Sequence, residues 1–181
     1  MTARPMKRTR RRMAAVAVAS VAAVAATAAT AAAADTSGAQ SSSGDFQAGG
    51  IHVTYDAQRA AGQKSTQATG TFTAEGAPVA VMGLPPEVGK IRLAGPISCL
   101  ETHGNDTSFY YKFDNTSTSG VLDKVGAGMI VSLHKGADGK TQMGFVPMLD
   151  GMVPTIGCDT SALPQGGALL SATSGTFQNG D

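Results

Sequence analysis

Apolar and polar residues alternate along most of the chain. From Ile51 onward, "IHVTYDAQ" sets Ile51, Val53 and Tyr55 against His52, Thr54 and Asp56. "GTFTAEG" brackets Phe72 with Thr71 and Thr73, and "KIRLAGPISCL" separates Ile91 and Leu93 from Lys90 and Arg92. A period of two is the spacing at which successive side chains leave opposite faces of a strand, so each stretch predicts a half-buried strand. No window longer than about ten residues carries the i, i+3, i+4, i+7 stripe of an amphipathic helix. The chain also holds 23 glycines, each costing ~1 kcal/mol relative to alanine inside a helix. The pattern predicts an all-β domain, an antiparallel β-sandwich or open β-barrel of about seven to nine short strands.

Two hairpins can be placed. The first joins "PISCLETH" to "SFYYKF" through "GNDT", where Gly104, Asn105 and Asp106 tolerate the positive φ of a tight turn. The second joins "GMIVSLHK" to "TQMGFVPML" through "GADGK". There Met129, Val131 and Leu133 share a face, with Met143, Phe145 and Leu149 as packing partners. Pro147 inside the returning strand predicts an edge or a bulge, because proline cannot donate to a ladder. The chain further resembles itself in "SGDFQAGG" (43–50), "TGTFTAEG" (69–76) and "SGTFQNG" (174–180). The irregular spacing argues for short strands with a shared Gly-x-Phe entry rather than a repeat array. The C-terminal "GTF" is expected to pair near an N-terminal strand and close the fold.

Composition divides the chain. "MTARPMKRTRRR" followed by an alanine-rich apolar run to Ala34 reads as a signal-peptide helix, residues 1–34, of the Sec or twin-arginine type. Residues 35–50 hold mainly Ser, Gly, Ala and Gln with a single aromatic, Phe46, and read as a flexible, disordered leader. Residues 51–181, about 130, then form one domain. The signal segment carries six of the 14 basic residues and none of the 13 acidic ones, leaving eight basic against thirteen acidic, a formal net charge of −5. Such a chain offers no basic footprint to a nucleic acid. With no second long apolar run it is expected to leave the membrane once processed, as a secreted extracellular or cell-envelope protein.

The chemistry-bearing residues are few. Cys99 and Cys158 are the only cysteines; an even count in an exported chain reads as a disulfide, and no further soft ligands stand at finger-like spacing. "GPISCLETHGNDTSFYYKF", "VPTIGCD" and the terminal "SATSGTF" together resemble a group of small secreted actinobacterial all-β proteins of unassigned function with one long-range disulfide. The likeness covers roughly residues 68–178. This chain has Tyr111-Lys112 and "KGADGK" where those proteins have Gly-Gly and an Asp-Asn-Gly turn. The resemblance implies the fold and the disulfide, and no activity.

Glu101 and His103 lie two apart, share a face of a strand, and form the best acid–base pair for a secreted hydrolase-like enzyme. His134 with Met143, Met148 and Met152 would suit copper, although 143 and 148 differ by an odd number and should face opposite sides of a regular strand. Tyr110 and Tyr111 must likewise point to opposite faces, leaving one, together with Tyr55, for a contact platform toward a sugar, a peptide or another small-molecule or cell-surface ligand. No nucleophile elbow, zinc-protease, phosphate-loop or dinucleotide motif occurs. The expected function is that of an exported binding or structural module without a cofactor.

Overall fold

The structure, a computed structural model, describes residues 38–77, 90–117, 128–149, 151–153, 157–159 and 170–180. The expected signal segment lies outside these residues. Eight strands follow one another: β1 (Gln40–Ala48), β2 (Ile51–Arg59), β3 (Thr69–Gly76), β4 (Ile91–His103), β5 (Asp106–Lys112), β6 (Gly128–Lys135), β7 (Thr141–Met148) and β8 (Leu170–Gly180). A single 3-10 turn, Ser65–Gln67, separates β2 from β3. Every strand pairs antiparallel with the next, and β8 returns to β1, so the sheet closes on itself as an up-and-down barrel. Of the two predicted architectures, the sandwich is therefore not the one adopted, and the barrel is closed rather than open.

Alternation decides what fills the barrel. In β2, Ile51, Val53, Tyr55 and Ala57 point inward while His52, Asp56 and Gln58 are exposed. The centre is a ladder of aromatic rings: Tyr55 stacks on Phe109 at 4.7 Å between centroids, Phe109 lies 5.6 Å from Phe72, and Phe72 stacks on Tyr111 at 4.1 Å. Phe46 and Phe177 are buried in the same cluster. An eight-stranded barrel is just wide enough for side chains to fill.

Within the segment read as a flexible leader, residues 40–48 are the first strand. Residues 40–48 pair with all of β2 and with most of β8, so the domain begins at least ten residues earlier than the boundary at 51. Its composition misleads because every second residue faces solvent, and the inward ones are small except Phe46 and, at the barrel mouth, Gln40. Two partners supply what its own side chains lack. Phe46 lies opposite Gly175, and Gly44 lies opposite both Phe177 and Tyr55. A Cβ on Gly44 would stand 2.5 Å from the Tyr55 ring, so the aromatic residues occupy the space the glycine leaves open. Phe72 also lies opposite a glycine, Gly95, but there the missing Cβ makes room for the Lys112 backbone rather than for the ring. The Gly-x-Phe copies of β1 and β8 thus pair crosswise with each other, and the terminal "GTF" closes the fold as expected.

Both predicted hairpins form. The first is tighter than anticipated: Gly104, with φ 60°, and Asn105 alone make the turn, and His103 pairs directly with Asp106. In the second, Met129, Val131, Leu133 and Met143 enter the barrel, but Leu149 falls past the strand end and is 58% exposed. Pro147 sits in the part of β7 for which β6 is the sole partner among the described residues, since β7 meets β8 only at Gln142 and Met143.

A second apolar cluster lies outside the barrel, on the outer faces of β4–β7. It comprises Cys99, Tyr110, Ile130 and Met148, covered by Val153 and Cys158 from the chain that returns after β7. A bulge makes this possible. Register slips between Ile97 and Cys99, opposite Tyr111 and Tyr110, so the extra residue, Ser98, flips the alternation; Ile97 and Leu100 face in and Cys99 faces out. Cys99 and Cys158 form a disulfide across 59 residues with Cα atoms 6.0 Å apart. Closing such a loop removes chain entropy worth on the order of 4 kcal/mol from the unfolded state. Because the bridge belongs to the outer cluster, replacing both cysteines by alanine is expected to lower unfolding free energy by no more than about that amount while leaving the far-ultraviolet circular dichroism of the barrel intact. Limited proteolysis should then cut first between residues 149 and 159; loss of the whole β signal would contradict the two-cluster arrangement.

Candidate functional site

The mouth of the barrel at the β4–β5 hairpin is polar and sewn shut. Ser42 Oγ meets Tyr55 Oη at 2.8 Å and Thr107 Oγ1 at 3.3 Å. Thr107 Oγ1 donates to Asn179 Oδ1 at 2.5 Å, and Asn179 Nδ2 donates to the carbonyls of Gly104 and Asp106. Across the same mouth Gln40 Nε2 donates to Thr102 O at 3.2 Å, while Thr102 N donates to Gln40 Oε1 at 3.3 Å. These bonds join β1 and β8 to a hairpin that is not their neighbour in the sheet. None of Gln40, Ser42, Thr107 or Asn179 stands out in sequence, since each is a common polar residue whose partner lies more than sixty positions away except for Ser42 and Tyr55.

Beside this cap lies a cleft of about 380 Å³ lined by Gln40, Ser41, Gln58, Arg59 and Gln63. Arg59 is almost fully buried. A second cleft, about 260 Å³, opens by the outer cluster between Pro96, Ser98, Tyr110, Lys112 and Val153.

The tyrosines do not form a platform. Tyr110 and Tyr111 do face opposite ways, but both are buried: Tyr111 inside the barrel, its hydroxyl 3.7 Å from Met129 Sδ, and Tyr110 beneath the disulfide-tethered segment. Tyr55 is also internal. The alternation was legible in sequence, whereas the covering of Tyr110 depends on a segment forty residues downstream. The copper set is dispersed as well. Met143 is in the barrel, Met148 in the outer cluster, Met152 on the surface and His134 on the outer wall.

Glu101 and His103 share the outer face, with His103 Nε2 3.9 Å from Glu101 Oε2. The closer pair is one that sequence spacing missed: His134 Nδ1 lies 2.6 Å from Asp106 Oδ1. Asp106 faces His103 on one side and His134 on the other, both in direct register. All three side chains are more than half exposed on the convex wall, and neither cleft is lined by a histidine. Asp114, past the opposite end of β5, is committed to a turn. It accepts from Thr116 Oγ1 at 2.7 Å and Thr116 N at 2.8 Å, which hold its carboxyl below the usual range. Among the described residues no group of three His, Cys, Asp or Glu converges in the present side-chain positions. No protein-family model, no curated protein and no solved structure matches the chain.

Burial moves two phenols. Desolvation raises Tyr55 and Tyr111 well above the ordinary tyrosine value of 10.0, with the Ser42 hydrogen bond opposing part of the shift at Tyr55. A raised folded-state value means that the stabilisation is complete below the unfolded value and is lost as pH climbs beyond it. In a Tyr110→Phe variant, near-ultraviolet absorbance is therefore expected to report both remaining phenols ionising above about pH 10, in the same transition that abolishes the β signal. Ionisation near pH 10 with the circular dichroism unchanged would contradict it.

Proposed function

We propose that the chain is an exported binding or structural module that works outside the cytoplasm through the outer wall and rim of a solid barrel. The observation that carries this reading is the filled lumen. Phe46, Tyr55, Phe72, Phe109, Tyr111 and Phe177 occupy the space in which a carrier barrel of this size would hold an apolar ligand. The buried disulfide fits an oxidising environment, in keeping with the N-terminal signal segment. The faces also run opposite to those of a membrane-spanning barrel, which is apolar outside and polar within: in β1–β3 the outward residues include Ser41, Asp45, His52, Asp56, Thr71 and Glu75. The resemblance to small secreted actinobacterial all-β proteins agrees with this reading.

The Asp106–His134 contact is the observation on the side of a hydrolase-like enzyme. It supplies a carboxylate-oriented imidazole, but on an exposed convex wall where water is not excluded, and neither of the two clefts described above is lined by it. Recognition without turnover is the better account of that geometry.

Native mass spectrometry of protein purified from the exported fraction tests the proposal. The expected mass is that of the polypeptide beginning after Ala34 with one disulfide and no bound lipid or haem. A stoichiometric apolar ligand released only on denaturation would overturn it.

A further inference from the structure

The barrel register assembles an outer-wall rung that the order of residues in the chain conceals. His103 of β4 pairs with Asp106 of β5, Asp106 pairs with His134 of β6, and His134 pairs with Gln142 of β7. All of these lie on the outer face. Thr102, Thr107, Leu133 and Met143, their immediate chain neighbours, are buried toward the barrel, and alternation sends the rung residues the other way. We propose that His103, Asp106 and His134 bind one divalent transition-metal ion of the zinc class.

Three physical features point to that chemistry. Adjacent strands stand roughly 4.8 Å apart, so the two imidazoles flank the carboxylate at about that spacing on either side. A histidine reaches farther from the backbone than an aspartate, so rings from the two strands flanking Asp106 have the length to extend over it. Asp106 and His134 are already in contact at 2.6 Å. The remaining ligand, His103, has a side chain 65% exposed whose ring lies 3.9 Å from Glu101; turning it from Glu101 toward Asp106 completes the set. Two imidazoles and one carboxylate favour Zn²⁺, Ni²⁺ or Cu²⁺ over Ca²⁺ or Mg²⁺, which take oxygen ligands. Glu101 beside the rung adds negative charge, whereas the nearest cation in β6, Lys135, is the next residue of the chain and leaves the strand on the opposite side. Three protein ligands leave a fourth position open to water or to a donor group of a partner.

The structure contains a control. His52 and Asp45 form another exposed His–carboxylate contact, 2.8 Å long, on β1 and β2; the carboxylate in register with His52, Glu75, is paired with Arg92, so this cluster offers one imidazole where the rung offers two. Isothermal titration of the purified protein with Zn²⁺ should give one site. His103→Gln, His134→Gln and Asp106→Asn should each weaken it at least tenfold, while His52→Gln leaves it unchanged and millimolar Ca²⁺ does not compete. The substituted side chains are exposed, so unaltered far-ultraviolet circular dichroism is expected for every variant and separates loss of the site from loss of the fold. The proposal is overturned by an absence of Zn²⁺ binding. It is equally overturned by a site that survives the His103→Gln/His134→Gln double variant, or by one that His52→Gln weakens as much as His134→Gln does.

Discussion

Two phenylalanines and two glycines, paired crosswise between the first and last strands, close this barrel. Phe46 lies opposite Gly175 and Phe177 opposite Gly44: Phe177 and Tyr55 lie in the space Gly44 leaves open, while the bare Gly175, at φ 76°, lets β8 pass against the backbone of Asp45 and Phe46 where a Cβ would collide. A barrel whose ends did not meet would present two long edges with unpaired amides and carbonyls. The closure matters more because, among the described residues, the other side of β8 is lightly held: two register pairs join it to β7, against eight to β1. The aromatic ladder in the lumen depends on the same closure. Tyr55 stacks on Phe109 while leaning over Gly44, and truncating such a buried ring typically costs about 3–5 kcal/mol.

The outer cluster is a second solution to a shortage of apolar area. Strands β4–β6 are buried on both faces along part of their length, as the runs of buried residues in Phe109–Tyr111 and Met129–Val131 record. The extra residue at Ser98 turns Cys99 outward, the disulfide holds the returning chain against it, and Tyr110 is covered. Elsewhere the wall is polar. The side left free by the tethered segment is where the His103–Asp106–His134 rung lies, at the hairpin end of the same strands.

Much of the architecture was legible in the alternation of Ile51–Tyr55, Phe72 and Ile91–Leu93, in the two turn sequences, and in the pair of cysteines. The same-face placement of Glu101 and His103 followed from a spacing of two. What misled was composition. Gln40–Ala48 reads as disordered because its stabilising partners, Tyr55 and Phe177, lie in other strands, one of them more than a hundred residues away. Tyr110 reads as an available contact because the residues that bury it follow β7. Asp106 reads as a turn residue because only register, set by a two-residue turn and by β6, places it between two histidines. These three misses turn on pairings between distant strands; the tighter first turn and the exposed Leu149 are the local ones.

The central claim is that residues 40–48 are a structural stave and not a leader. Hydrogen exchange read by mass spectrometry on peptides covering 40–48 tests it without altering the protein. Amides of β1 bonded to β2 and β8 are expected to be slowed to the same degree as those of β2 and β4, exchanging only through opening of the barrel. Exchange of that segment at the rate of an unstructured chain, while β2–β6 remain protected, would contradict the account.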